Sequence, residues 1–180
     1  MAVTEVPVKP PTRVLVLSAV RPVIVIGVLL VVYWVAPIRG ESTMLAVTMT
    51  ACVGLVVFGG VFVHQVRRIK RSTTPTLAGV EALVLVYGTF LVQFAVLYVA
   101  VSVSDQAAFD EVLNRVGGLY LSITVLSTVG FGDITPASDL ARILVSIQMI
   151  ADIVLIGTAF RILSTTARKA AAVVPPEVAS

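Results

Sequence analysis

One short stretch of the chain has the residue types that bind a dehydrated cation through backbone oxygens. It reads Thr128-Val129-Gly130-Phe131-Gly132. Successive carbonyl groups face one axis only if the backbone alternates between right-handed and left-handed dihedrals, and Gly130 and Gly132 accept positive φ without a Cβ clash. We expect Thr128 to add its hydroxyl as the lowest ligand, while Val129 and Phe131 point away from the axis. The stretch therefore predicts a cation site built from backbone carbonyls.

The residues beside this stretch are expected to support it inside a membrane. About ten apolar residues precede Ser127, too few to span a bilayer and enough to enter it halfway and return. A half-helix that ends near Ser127 directs its negative C-terminal dipole toward the stretch and favours a cation there. Irregular backbone at membrane depth is tolerated where it lines a water-filled path. Ser127, Thr124 and Asp133 are therefore the candidate supports of a pore.

The composition places this stretch in a membrane protein. The 180 residues are 58% hydrophobic and 13% charged, whereas a soluble domain carries about 25% charged residues. These values exclude a soluble enzyme, a nucleic-acid binder and a disordered regulator. A single histidine and a single cysteine form no catalytic or metal-binding pair within one chain, so no catalytic residue and no cofactor are expected.

Four long apolar segments predict four transmembrane helices, because backbone in hydrocarbon must satisfy its own hydrogen bonds. We expect an all-α membrane protein in which the half-helix and the stretch 128–132, the predicted filter loop, re-enter the membrane between helices 3 and 4. The predicted parts are a cytoplasmic tail at 1–13, two accessory helices at 14–66, a basic cytoplasmic loop at 67–76, a pore domain at 77–166 and a second cytoplasmic tail at 167–180. The pore domain comprises an outer helix, the half-helix, the filter and an inner helix.

The position of the basic residues predicts the orientation in the membrane. Between the second and third apolar segments lie Arg67, Arg68, Lys70 and Arg71. The positive-inside rule then places this loop and both termini in the cytoplasm. The same four residues are also candidate contacts for lipid headgroups, and the two interpretations are compatible. No segment repeats arginine at every third position, so a voltage-sensor helix is not expected.

The chain resembles the potassium channel pore family, whose filter pattern is T-V-G-[YF]-G-D. The residues that carry the resemblance are Ser127-Thr128-Val129-Gly130-Phe131-Gly132-Asp133, with Leu119-Tyr120-Leu121-Ser122 before them and Ile134-Thr135-Pro136 and Ala141-Arg142 after them. It covers about residues 77–166. The resemblance implies a homotetramer, since each chain supplies one of four filter loops, and a compact prokaryotic-type channel in the plasma membrane. It implies potassium as the permeating ligand at Thr128, Val129, Gly130 and Phe131.

Two departures from this family concern the outer end of the filter. Phe131 replaces the commoner tyrosine, so one hydroxyl that ties the filter to the half-helix is missing. Leu121 and Thr124 stand where many relatives have tryptophan or an acid. We therefore expect Asp133 to lack its usual partners and the outer filter to respond to the external potassium concentration.

Asp152 is the acidic residue predicted to lie deepest in the membrane. It follows Asp139 by about 13 residues, or about 20 Å along a helix, which places it just below the filter. Four copies make a ring of negative charge that attracts cations and holds Mg²⁺ or polyamines, with Gln148 four residues earlier on the same face. The alternative is a sideways hydrogen bond to a neighbouring helix, for example to Gln93, without contact to ions.

Glycines in two helices have candidate roles in movement or packing. Gly157 is the candidate gating hinge, and helix packing is its alternative role. The pair Gly59-Gly60 is expected to pack against another helix. Neither the gating stimulus nor the role of the first two helices follows from these residues.

Three other functions compete with a potassium channel. A cation channel of relaxed K⁺/Na⁺ selectivity is the nearest, because of Phe131 and the altered half-helix. A transporter built from such pore units needs four of them in one chain, and this chain has one. A structural or adaptor membrane protein explains four apolar helices but not residues 128–133.

Overall fold

Five helices make up the described part of the chain. The computed structural model describes residues 12–35, 44–72 and 75–171. Its helices are α1 (Thr12–Val35), α2 (Met44–Arg71), α3 (Pro75–Ser104), α4 (Arg115–Leu126) and α5 (Asp139–Ala171). Apart from one isolated bridge between Phe109 and Pro136, these residues contain no β-structure. The all-α prediction is therefore confirmed for this part of the chain, and the predicted tails lie largely outside it.

Three of the helices are long and apolar enough to cross a membrane. Their apolar spans are Val47–Ile69, Ala78–Ser104 and Asp139–Arg161. In α1 the apolar run of described side chains is shorter, Val20–Val35. The second, third and fourth predicted spans are thus supported, and the first stays a prediction.

The basic residues expected in a loop belong to the end of α2. This helix continues to Arg71, because arginine and lysine are good helix formers and cations in a last turn interact favourably with the helix dipole. Arg68 forms an ion pair with Glu81 of α3, at 2.5 Å between Nη1 and Oε1. Arg67 and Arg71 are exposed, and the side chain of Lys70 lies outside the described residues. Arg68 thus joins α2 to α3. The sequence predicted for it only a role in topology or in lipid binding.

The central helix of the molecule is α3. It packs against α1, α2, α4 and α5, and 61% of its apolar span is buried, against 11% for α2 and 17% for α5. Phe90, Phe94 and Tyr98 follow one another at every fourth position of α3, with ring centroids 4.7 and 6.0 Å apart. This aromatic row belongs to the buried core that α3 shares with α2, α4 and α5.

A close contact between α2 and α3 depends on Gly54. A Cβ at this position would overlap the side-chain amide of Gln93, so glycine is what lets Gln93 reach the α2 backbone. At Gly59 and Gly60, no atom lies within 4 Å of the place where a Cβ would stand. The packing prediction for these two glycines is wrong within this chain. The close approach of Gln93 to α2 lies at Gly54 instead, more than one helical turn before Gly59.

Candidate functional site

The half-helix α4 begins with a side-chain cap. Asn114 has extended backbone dihedrals, and its side-chain oxygen accepts a hydrogen bond from the backbone N–H of Gly117 at 2.9 Å. The helix then runs for 12 residues, a length of about 18 Å that is too short to span a membrane. It ends at Leu126, next to the predicted end at Ser127. The predicted half-helix is confirmed in position and length.

The backbone after α4 alternates in hand from residue to residue. Positive φ occurs at Thr128 (56°), Gly130 (52°) and Gly132 (76°), and not at Val129 or Phe131. The expected positive φ at the two glycines is confirmed. Nothing in the sequence indicates it at Thr128, where this conformation of a β-branched residue costs about 1–3 kcal/mol. An alternation of this kind is what a row of backbone carbonyl ligands for a cation requires.

The end of α4 holds residues 128–132, the predicted filter, through hydrogen bonds to a backbone oxygen. The Thr124 carbonyl accepts from the N–H groups of Val129 (3.1 Å) and Gly130 (3.4 Å). It lies in the last turn of the helix, where no intrahelical N–H is left to bind it. The Ser127 hydroxyl donates to the same carbonyl at 3.2 Å, whereas the Thr124 hydroxyl donates back to Leu121. Thr124 therefore contacts the filter through its main chain and not through its side chain.

A tyrosine of α4 binds the outer end of the filter. The Tyr120 hydroxyl donates to Asp133 Oδ2 at 2.6 Å, and its ring lies 6.4 Å from that of Phe131 with 8° between the planes. The bond to the carboxylate raises the pKa of Tyr120. Asp133 therefore has a partner other than the usual ones, because Tyr120 supplies a hydroxyl that Phe131 does not have. Sequence reasoning missed this pair because its members are 13 residues apart across an irregular loop.

The linker before α4 is fastened to the chain that leaves the filter. Asp110 accepts hydrogen bonds from the Thr135 backbone N–H (2.9 Å) and hydroxyl (3.1 Å), and the Asp110 N–H donates to the Thr135 carbonyl (3.1 Å). The bond from the Thr135 N–H holds the pKa of Asp110 below its usual value. These bonds hold the linker that precedes α4 beside the segment that follows residues 128–132.

Asp152 and Gln148 lie in a buried junction of α3, α4 and α5. Gln148 Oε1 accepts from the Tyr98 hydroxyl (2.6 Å), and Gln148 Nε2 donates to the Ser122 carbonyl (2.9 Å) and to Asp152 Oδ2 (3.4 Å). The predicted placement of Asp152 and Gln148 on one helix face is confirmed. Gln148 has 0% of its surface exposed. This face of α5 was expected either to line the cavity or to pack against the half-helix, and at Gln148 the bond to Ser122 of α4 supports packing against the half-helix.

Asp152 also borders a hollow below the filter. The hollow has a volume of about 290 Å³, and its lining includes Thr128, Gly130 and Ile156. Asp152 is 2% exposed, and its Oδ1 atom has no hydrogen-bond partner among the described residues. Asp152 thus lies beside the same hollow as Thr128, and its hydrogen bond goes to Gln148 and not to Gln93. Contact of Asp152 with an ion path stays a prediction.

Gly157 stands on the exposed side of α5. No atom lies within 4 Å of the place where a Cβ would stand, and α5 continues through this position as one helix. Packing within the chain therefore does not require glycine here. The role of Gly157 as a hinge stays a prediction.

The comparison with known proteins concerns the part of the chain that carries this loop. A family model described as an ion channel matches residues 81–169. The match covers most of α3, all of α4 and the filter, and most of α5, a little less than half of the chain. Neither the curated proteins nor the solved structures gave a match. The family match supports an ion channel, and the three long apolar helices agree with a membrane protein.

Proposed function

We propose that the chain is the subunit of a potassium-selective channel that conducts K⁺ passively through backbone carbonyls. The observation that carries the proposal is the alternating φ over Thr128, Gly130 and Gly132 directly after a half-helix. Carbonyl groups on one side of a strand replace the hydration shell of a potassium ion when several strands surround it. The proposed ion ligands are Thr128, Val129, Gly130 and Phe131.

One chain supplies only one side of such a filter. Residues 128–132 form one irregular segment, in which Val129 and Phe131 are 54% and 70% exposed. A carbonyl filter surrounds its ion with several such segments, and one chain supplies one of them. We therefore propose a homotetramer, in which four filter strands face a common axis and four half-helices direct their negative ends toward it.

The restraint at the outer end of the filter favours selective over relaxed conduction. Where selectivity comes from a cavity of fixed size, a carbonyl filter discriminates between ions while its backbone is held in place. Tyr120 binds Asp133 and stacks on Phe131, so the strand is restrained from the side of the half-helix. This restraint favours K⁺ selectivity over a cation channel of relaxed K⁺/Na⁺ selectivity.

Asp152 is the proposed site of block from the cytoplasmic side. It borders the hollow below Thr128, and four copies would place four carboxylates around the ion path. Such a ring binds Mg²⁺ or polyamines, while Ba²⁺ blocks the filter itself. The basic end of α2 favours cytoplasmic termini, and the plasma membrane of a prokaryotic-type cell is the proposed location.

Potassium flux in liposomes tests the proposal. Protein in K⁺-loaded vesicles is expected to release K⁺, to exclude Na⁺ and to be blocked by Ba²⁺. Gly130→Ala should abolish flux, because a Cβ at a φ of +52° is strained and the strand no longer keeps its carbonyls aligned. The matched control is Gly60→Ala, which adds the same methyl group in open space on α2 and should conduct like the wild type.

Three outcomes would contradict the proposal. Equal flux of K⁺ and Na⁺ would support the relaxed cation channel. No flux of either ion would support a structural or adaptor protein. Native mass spectrometry should give a tetramer for the wild type and both variants, and a monomer or dimer would remove the fourfold filter.

A further inference from the structure

The helix α1 lies outside the segment that matches the ion-channel family, yet it touches the start of the half-helix. The Tyr33 hydroxyl donates to the Arg115 carbonyl oxygen at 2.6 Å. The Arg115 guanidinium carbon lies 5.7 Å from the centroid of the Tyr33 ring, within the range of a cation–π contact. Two interactions of different kinds thus join α1 to the first residue of α4.

Tyr33 differs in burial from its neighbours on α1. Its side chain is 1% exposed, whereas Val32, Trp34 and Val35 are all more than half exposed. A hydroxyl in an apolar interior is costly without a partner, and its partner here is 82 residues away in the chain. The end of α1 therefore presents apolar side chains outward and one bonded tyrosine inward, toward the pore loop.

At Gly118 the half-helix is closely packed against α3 and α1. A Cβ on Gly118 would lie 2.5 Å from a Val99 methyl group, 2.8 Å from the Ala95 carbonyl oxygen and 3.5 Å from the Tyr33 hydroxyl. The half-helix therefore lies flush against α3, with Tyr33 at the edge of the same contact. Three elements, α1, α3 and α4, meet at this point.

The opposite end of α4 is the end that binds the filter. There the Thr124 carbonyl accepts the N–H groups of Val129 and Gly130. The half-helix of 12 residues is one stiff element of about 18 Å. A displacement at Arg115 is therefore transmitted to Thr124, and from there to the filter backbone.

We propose that Tyr33 is a positioning residue of the filter, and that α1 thereby belongs to the working structure of the pore. The hydroxyl fixes the depth and tilt of the half-helix at its first residue. The guanidinium of Arg115 over the ring keeps the tyrosine in place. The effect on ion selectivity rests on the proposed function, whereas the effect on the position of α4 does not.

The variant Tyr33→Phe removes the hydroxyl and keeps the ring. In the full-length protein in lipid nanodiscs, hydrogen–deuterium exchange in the first turns of α4 should become about 2- to 10-fold faster, the factor that corresponds to one lost hydrogen bond. In liposomes, the permeability to Na⁺ relative to K⁺ should rise by a similar factor. The control is Val32→Ala, which changes a neighbouring exposed side chain of α1 and should leave both measurements unchanged.

Gly118→Ala tests the same contact from the side of α4. Its methyl group must move the half-helix away from α3, because the Ala95 carbonyl is backbone, and it should reproduce the change in selectivity. Two results for Tyr33→Phe would overturn the positioning role. One is an unchanged hydrogen–deuterium exchange rate in α4, and the other is faster exchange with an unchanged Na⁺/K⁺ permeability ratio in a conducting channel. If the wild type conducts no ions, the proposed function fails, and the exchange rates of Tyr33→Phe against Val32→Ala still decide whether Tyr33 fixes α4.

Discussion

Tyr120 restrains the filter by two interactions of different physical origin. Its hydroxyl makes a charge-assisted hydrogen bond to Asp133, and its ring stacks on Phe131. The hydrogen bond acts on the residue after the filter, and the stacking acts on a side chain within it. The two contributions are therefore separable by substitutions at one position.

Tyr120→Phe should make K⁺ flux fall more steeply when external K⁺ is lowered. The filter then loses its tether to α4, and a strand emptied of ions rearranges more readily. Tyr120→Leu, which also removes the stacked ring, should show a larger effect of the same sign. Flux through reconstituted protein at low and high external K⁺ measures both. An identical K⁺ dependence in the wild type and Tyr120→Phe would show that the hydroxyl does not restrain the filter.

At the scale of single residues, the sequence predicts main-chain requirements better than side-chain pairs. Gly130 and Gly132 were predictable because their residue type itself indicates a positive φ. Thr128 was not, since a strained β-branched residue looks like any other threonine in the sequence. The pair of Tyr120 and Asp133 was not, because it bridges an irregular loop that follows no helical or strand period.

Among the elements, the contact between α2 and α3 rests on one small residue and one long one. Gln93 of α3 occupies the space beside Gly54 of α2. In a bilayer, lipid chains are as apolar as the helices, so close van der Waals packing is what favours the association. A side chain larger than hydrogen at this position removes that packing.

Gly54→Ala should lower the free energy of unfolding by about 1–3 kcal/mol, the usual effect of overfilling a packed contact. Ion selectivity should stay unchanged, because the filter is held by α4. Gly59→Ala is the matched control on the same helix, where the methyl group meets open space and raises helix propensity by up to about 1 kcal/mol. Denaturant titration in detergent measures both variants. Equal stability of the two would mean that α2 does not depend on the close approach at Gly54.

The helices themselves were largely predictable, and their ends and contacts were not. Apolar length alone indicates α2, α3 and α5, and the short run before Ser127 indicates α4. The basic end of α2 was expected in a loop, because charge predicts topology and says little about where a helix ends. The contact of Tyr33 with Arg115 had no signal, since its members are 82 residues apart and belong to different predicted parts.

For the whole molecule, fourfold assembly would turn one buried carboxylate into a ring. Asp152 accepts a hydrogen bond from Gln148 with one carboxylate oxygen, and it borders the hollow below the filter. In the proposed tetramer, the four carboxylates act on ions through this hollow. The charge is separable from the hydrogen bond, because asparagine keeps an oxygen for Gln148 and removes the charge.

Asp152→Asn should weaken block of outward current by internal Mg²⁺ or spermine, because the ring loses its negative charge. Currents in patches of reconstituted membrane, with and without the blocking cation on the cytoplasmic side, measure the change. The matched control is Asp139→Asn, the same substitution at the exposed start of α5, which should leave internal block as it is. Unchanged block in Asp152→Asn would remove the ring and leave Asp152 as a structural partner of Gln148.

The central position of α3 makes this chain hard to divide. A cut at the boundary of the ion-channel match, residues 81–169, would keep every residue of the proposed filter. Without α2, however, Glu81 would lose Arg68 and Gln93 would lose Gly54, which turns two polar side chains toward hydrocarbon. Without α1, the half-helix would lose the hydroxyl of Tyr33. A minimal pore made from this sequence would therefore need new apolar residues on the outward face of α3, and the first two helices are not a detachable appendage.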